Sequence, residues 1–246
     1  MEPITSATAL VAAETAGEAV AKETFLQSLE IGRKAAEWNG TNELQPSLET
    51  MESLNGLLDS EKYRKLNEFR ELSQSSPEAV QQAFNDINLK GQMGESLMEA
   101  NLMQYGEVRS QIPVQLEGAA TGNRIDLQLA DSNATLKQVE MNVEGGQIKL
   151  EYNYDLLKGE SASFEVKNGG LPYLRQEQLS GDLLQQIEAG KQLSDHSFVI
   201  INEDTAKAML SNPNQAAEII SAIQESGGKL IVGLPSQSVQ MALFMS

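Results

Sequence analysis

The run Phe164-Glu165-Val166-Lys167 sets a carboxylate and an ammonium two residues apart. On a strand, residues i and i+2 share a face, so Glu165 and Lys167 stand side by side while Phe164 and Val166 turn the other way. No other Asp or Glu in the chain is followed by Lys at that spacing. A second acid, Asp126, lies in the alternating segment Arg124-Ile125-Asp126-Leu127-Gln128-Leu129. If the two strands are neighbours, Asp126 and Glu165 converge, and two close carboxylates repel until something neutralises them. A divalent cation does so, and it also activates a bound water and stabilises charge on a phosphoryl oxygen. Lys167 would then orient or deprotonate that water, or steady the developing charge. Each residue alone has an ordinary reading as well. Glu165 and Lys167 fit an ion pair on a solvated sheet, and Asp126 fits a solvated partner of Arg124.

The elements that must position these residues are legible in the periodicity. Residues 108–116 and 124–129 alternate as strands, 135–154 reads as a hairpin turning at Glu144-Gly145-Gly146-Gln147, and 162–167 is a further strand. A helix is expected to open at Gly91-Gln92-Met93-Gly94-Glu95 and another to span 172–191. Glu95 in a first turn is favoured by the helix dipole whatever else it does. Gln178, on the helix after the Glu165 strand, is a fourth candidate. Ser197-Phe198-Val199-Ile200-Ile201 and residues 229–234 read as buried strands. Between them, 204–226 is one helix or two, interrupted at Asn212-Pro213. The order is that of an α/β domain with a mixed central sheet between helices. It spans residues 89–246 and follows an N-terminal helical extension over 1–88. In that extension, helices are expected over 5–38, with Trp38 packing against its neighbours, over 47–73, and after Ser76-Pro77. No chemistry is evident in it.

Composition removes several classes. With no cysteine and only one histidine, His196, thiolate chemistry and a zinc site both lack their ligands. Carboxylates and lysines remain, which suit Mg²⁺ or Mn²⁺. The net charge of −17 argues against a broad nucleic-acid-binding surface. The excess is spread along the chain: 15 acids against 8 bases in residues 1–90, and 20 against 10 in residues 91–246. A bound cation or a local basic lip would have to invert it. The N-terminus lacks the basic segment of a secretory signal, and no apolar run is long enough to span a bilayer. A protein made in the cytoplasm is expected, with export by a signal-independent machine compatible with the sequence. His196, Arg175, Lys191 and Tyr173 each have a structural explanation, although Arg175 and Lys191 would also suit a phosphate and Tyr173 a base.

Taken in order, a helix with Gly94-Glu95, a strand with Asp126, a strand with Glu165-Val166-Lys167 and a helix with Leu174-Arg175-Gln176-Glu177-Gln178 resembles the PD-(D/E)xK phosphodiesterase superfamily. The resemblance covers roughly residues 88–202, and the run Lys167-Asn168-Gly169 before a Leu-Arg-x-x-Gln helix is most similar to bacterial nuclease toxins. It implies a restriction-endonuclease-like αβββαβ core. It also implies Mg²⁺- or Mn²⁺-dependent hydrolysis of nucleic acid, DNA before RNA, with Asp126, Glu165 and Glu95 as metal ligands. Lys167 would serve the attacking water, and Glu95 and Gln178 would support. A toxin of this kind implies delivery into a target cell and a cognate immunity or chaperone protein. The proline usual before the first acid is replaced by Ile125, and Glu165 follows Asp126 by 39 residues. An inserted hairpin at 135–154 accounts for that length. If that hairpin belongs to the core instead, Glu140, Glu144 or Glu151 competes with Asp126. A phage or mobile-element nuclease, or a non-enzymatic acidic interaction protein on the same fold, stands as the alternative.

Overall fold

The computed structural model describes residues 48–73, 76, 85–117 and 122–245. The helix expected over 5–38, Trp38, and all but Ser76 of the helix start at Ser76-Pro77 lie outside the described residues.

Helices α1 (Leu48–Leu58) and α2 (Arg64–Ser73) flank a short 3-10 turn at Glu61–Tyr63 and lead to α3 (Ile87–Leu102). Five strands follow: β1 (Val108–Val114), β2 (Asn123–Leu129), β3 (Leu136–Glu144), β4 (Gln147–Leu156) and β5 (Ala162–Lys167). Then come α4 (Leu171–Ser180), α5 (Asp182–Leu193), β6 (His196–Asn202), α6 (Glu203–Ser211), α7 (Pro213–Glu225), β7 (Lys229–Leu234) and α8 (Gln237–Met245). The chain is an α/β protein with one seven-stranded mixed sheet in the order β1-β2-β5-β6-β7-β3-β4. Strands β1, β2 and β5 run antiparallel, β5, β6 and β7 parallel, and β3 returns antiparallel to β7 with β4 outside it.

This order settles the position of the hairpin. After β2 the chain crosses to the other end of the sheet, where β3 pairs with β7 and β4 forms the edge, so the hairpin is part of the core sheet rather than an insertion, and β5 returns beside β2. Glu140, Glu144 and Glu151 therefore lie on the far side of the sheet from Asp126 and do not compete for its place.

Two apolar layers sandwich the sheet. Phe164, Phe198 and Ile200 join Leu97, Leu102, Leu127 and Phe244 in one core. Val199 and Ile201 join Leu183, Ile187, Ile219 and Ile223 in the other. β5 is buried at all six positions, as a central strand flanked by helices requires. The described part of the N-terminal region shares the first core. Leu54, Leu58, Tyr63, Leu66 and Phe69 pack there with Met93 and Phe164, so residues 48–73 belong to the same folded unit as the sheet.

Three local expectations change. α3 starts at Ile87, four residues earlier than the glycines suggest, because Asp86 caps it: its side chain accepts from the N–H groups of Asn88 at 2.9 Å and Leu89 at 3.2 Å. The expected helix 172–191 is two helices, divided at Gly181, whose φ of 84° ends α4. The regular alternation of β2 is broken: Leu127 and Leu129 join the first core, while Ile125 packs with Val114 and Ala189 of α5. α5 itself reaches the sheet through Gly190, where an added Cβ would lie 2.3 Å from Ser163 Oγ. No helix among the described residues is long and apolar enough to cross a membrane.

Candidate active site

The ends of β2 and β5 open onto a cavity of ≈ 580 Å³. α3 lines it with Asn88, Gly91, Gln92 and Glu95, β2 with Arg124 and Asp126, and β5 with Glu165, Val166 and Lys167. Gln111 of β1, Tyr173 and Glu177 of α4, Gln186 of α5 and the pair Lys62-Tyr63 complete the wall.

Asp126 and Glu165 meet at its floor because β2 and β5 are neighbours. Asp126 Oδ2 accepts from the Val166 N–H at 2.9 Å, which ties the two strands together at the site. Burial pushes the Asp126 carboxyl above its ordinary range, against the opposing pull of the Val166 N–H and the Lys167 ammonium. Burial and then the charge of Asp126 push Glu165 well above its own, although Lys167 opposes them. The two side chains are within hydrogen-bonding reach of each other, so the pair is stable when it holds a proton or a cation between its members. With both ionised, Glu165 Oε2 is buried without a donor.

Lys167 is 5% exposed. Its Nζ donates to Glu165 Oε1 at 3.1 Å and to Glu177 Oε2 at 2.9 Å. Burial disfavours the ammonium, but the two carboxylates outweigh it and hold Lys167 above the usual lysine range. In this arrangement it is a hydrogen-bond donor and a positive charge at neutral pH. Such a group is suited to orienting a water or steadying negative charge.

Glu95 lies in the cavity, though not in a first turn. It sits midway along α3, so the helix dipole does not explain it. Burial, with the nearby Asp126 charge, raises its carboxyl to about 7. It meets the pair through Gln111, whose Nε2 lies 2.9 Å from Glu95 Oε2 and 3.5 Å from Asp126 Oδ1.

Gln178 does not line the cavity. Its Oε1 accepts from Arg175 Nη1 at 2.9 Å on the flank of α4. The cavity side of that helix carries Tyr173 and Glu177, four residues apart and thus on one face. Arg175 also pairs with Glu218, and Lys191 with Glu188. His196 Nε2 stands 2.9 Å from Glu160 Oε2, outside the cavity.

Lys62 and Tyr63 are the functional candidates that the sequence did not reveal. Lys62 Nζ and the Tyr63 hydroxyl both donate to Glu99 Oε2, at 2.5 and 2.6 Å. They precede Glu99 by 37 and 36 residues, and no local pattern marks them.

No family model, curated protein or solved structure matches the chain. The chemistry of the site rests on its own donors. Among the described residues, no group of three or more His, Cys, Asp or Glu side chains is arranged to hold a metal ion. Of the three acids expected as ligands, Asp126 and Glu165 lie side by side on adjacent strands, and Glu95 stands on α3 with the Gln111 amide between it and Asp126. Two carboxylates fit Mg²⁺, which keeps several of its waters and takes one or two protein oxygens. Three buried acceptors around the cavity lack donors: Glu165 Oε2, Gln92 Oε1 and Gln186 Oε1. A hydrated cation answers both needs, neutralising the pair and donating through its waters.

Proposed function

We propose that this protein is a divalent-metal-dependent phosphodiesterase acting on nucleic acid, with DNA the substrate favoured by its resemblance to PD-(D/E)xK nucleases. One observation carries the reading: Asp126 and Glu165 meet on adjacent strands at the floor of a cavity, with a Glu165 oxygen buried and unsatisfied, and Lys167 bonded to the same residue. The order α3-β1-β2-β5-α4-β6, taken with the β3–β4 hairpin and α5 set aside, supports the resemblance to that family's core.

Mg²⁺ or Mn²⁺ held by Asp126 and Glu165 would supply an activated water and stabilise charge on the phosphoryl oxygens. The chain's own residues do the rest. Glu177 fixes the Lys167 ammonium, which donates toward the reacting oxygens and offsets the negative charge gathering there. Lys62 and Arg124, on the cavity wall, give an acidic protein a local basic lip for a phosphodiester backbone. Tyr173 offers a ring at the same wall. Delivery into a target cell and a cognate immunity protein are extensions of the same resemblance and rest on it alone.

The test is nicking of supercoiled plasmid by the purified protein with Mg²⁺ or Mn²⁺, with and without EDTA. Wild type is expected to nick, EDTA to stop it, and Glu165→Gln to reduce the rate at least about 100-fold. Full activity in Glu165→Gln rejects the site. A wild type that binds DNA and never cuts it favours an interaction protein on this fold.

A further inference from the structure

Gln111 has a backbone that its residue type does not favour. Its φ is 55°, and it is the only non-glycine among the described residues with a positive φ. It sits in the middle of β1, where neither a turn nor a cap calls for the left-handed conformation. Glycine takes that conformation without the Cβ penalty that glutamine incurs. Strain of this kind persists where the surroundings over-determine it, and it gathers at functional sites.

The register shows what the conformation achieves. Ser110 pairs with Leu127 and Ile112 with Ile125, which sets Gln111 opposite Asp126, at the one position where this ladder omits a pair. The same position marks the switch in β2, with Ile125 packed toward α5 and Leu127 in the core beside α3. At this break the Gln111 amide reaches across to Glu95 Oε2 at 2.9 Å and toward Asp126 Oδ1 at 3.5 Å. An amide nitrogen has two hydrogens and can serve two acceptors. Without it, two half-buried or buried acids on different elements would face each other with nothing between them.

We infer that Gln111 is a positioning residue: its strained backbone aims one side-chain amide between Glu95 and Asp126 and holds both carboxyls in the geometry of the site. Its effect on cutting rests on the phosphodiesterase reading; its effect on the two acids does not.

The experiment is an unfolding cycle in urea with EDTA at pH 8, using wild type, Gln111→Gly, Glu95→Ala and the double variant. In the wild-type background, Gln111→Gly is expected to lower the midpoint, because the lost amide bonds outweigh the relieved strain. In the Glu95→Ala background it is expected to raise the midpoint, because mainly the strain is left to relieve. An equal shift of the same sign in both backgrounds overturns the inference. The kinetic arm compares kcat and KM for plasmid nicking. Gln111→Gly is expected to lower kcat about tenfold with KM for DNA unchanged, as for a group acting on the reacting geometry. An unchanged kcat overturns the inference also. If wild type cuts nothing, the proposed activity fails, and the unfolding cycle still decides the role of Gln111.

Discussion

Glu177 Oε2 accepts a hydrogen bond from Lys167 Nζ at 2.9 Å, linking the first helix after β5 to the last residue of that strand. Together with Glu165 it keeps Lys167 charged, and this has a kinetic consequence. The pH–rate profile for nicking should show no rising limb from lysine deprotonation between about pH 6 and 9. Lys167→Arg should retain measurable activity, since a guanidinium still donates and still carries charge. Lys167→Ala should lose at least about 100-fold. A profile that climbs with pH, together with a dead Lys167→Arg, would show that lysine works as a base. Stability gives a second reading of the same variant. Lys167→Ala leaves Glu165 buried and unpaired, a loss of roughly 3–5 kcal/mol. Urea unfolding in EDTA should show a loss that shrinks as pH falls, because burial pushes the Glu165 carboxyl up and favours its protonated form.

The raised Glu95 carboxyl ties stability to pH. Its ordinary value is 4.5, and the folded protein holds it at about 7. Between those values the folded state keeps a proton that the unfolded state has released. Stability from this group therefore falls as pH rises from about 4.5 to 7 and stays low above that. Metal-free protein should melt several degrees lower at pH 8 than at pH 5 on this account. Glu95→Gln, which cannot ionise, should flatten that part of the curve. A melting temperature in Glu95→Gln with the wild-type slope against pH would refute the shift.

Gly94 and Gly91 lie one turn apart on α3 and make opposite predictions. A Cβ at Gly94 would come 2.8 Å from Asn168 Cβ, and Asn168 follows Lys167 directly. Gly94→Ala should cost about 1–3 kcal/mol in urea unfolding and slow nicking by displacing the Lys167 loop. A Cβ at Gly91 meets nothing within 4 Å. Gly91→Ala should stabilise by roughly 0.5–1 kcal/mol through helix propensity alone. Equal effects at the two positions would mean that α3 does not depend on close approach to Asn168.

Tyr63 is fully buried, and burial with the Glu99 carboxylate beside it holds its phenol well above the usual tyrosine range. Tyr63→Phe removes a 2.6 Å bond to a carboxylate that is itself 8% exposed. A loss of about 1.5–3 kcal/mol is expected by urea unfolding, with no change in KM for DNA. Lys62→Met should behave differently. It removes a cation from the cavity wall and should raise KM for plasmid, most clearly at low salt.

The parts of this site legible in the sequence were those carried by short-range pattern. Strands β2 and β5 declared themselves by their apolar residues, and Glu165 and Lys167 by their spacing. The mixed sheet followed from element order, and the hairpin from Gly145-Gly146. The N-terminus of α3 was misplaced because Asp86 caps a helix that then tolerates two glycines. Gln178 rested on the Leu-Arg-x-x-Gln run, and that Glu177 faces the cavity instead cannot be read without knowing which side of the helix meets the sheet. Lys62, Tyr63 and Gln111 left no local trace at all. The first two reach the cavity by tertiary packing of α1 and α2 on α3, and the third through a backbone conformation that its residue type does not advertise.

The loop after Lys167 is held from the opposite end of the described chain. Asn168 Nδ2 donates to Gln240 Oε1 at 2.6 Å and to the Lys90 carbonyl at 2.6 Å, and Gln237 Nε2 donates to the Asn168 carbonyl at 2.9 Å. β3, meanwhile, waits for β7 as its inner neighbour. Strands β1 to β5 all precede β7 in the chain, yet the clamp on the residue beside Lys167 is contributed by α8, some seventy residues later. The turn beside Lys167 thus draws its anchors from both sides of the sheet's sequence, from Lys90 before it and from Gln240 after it.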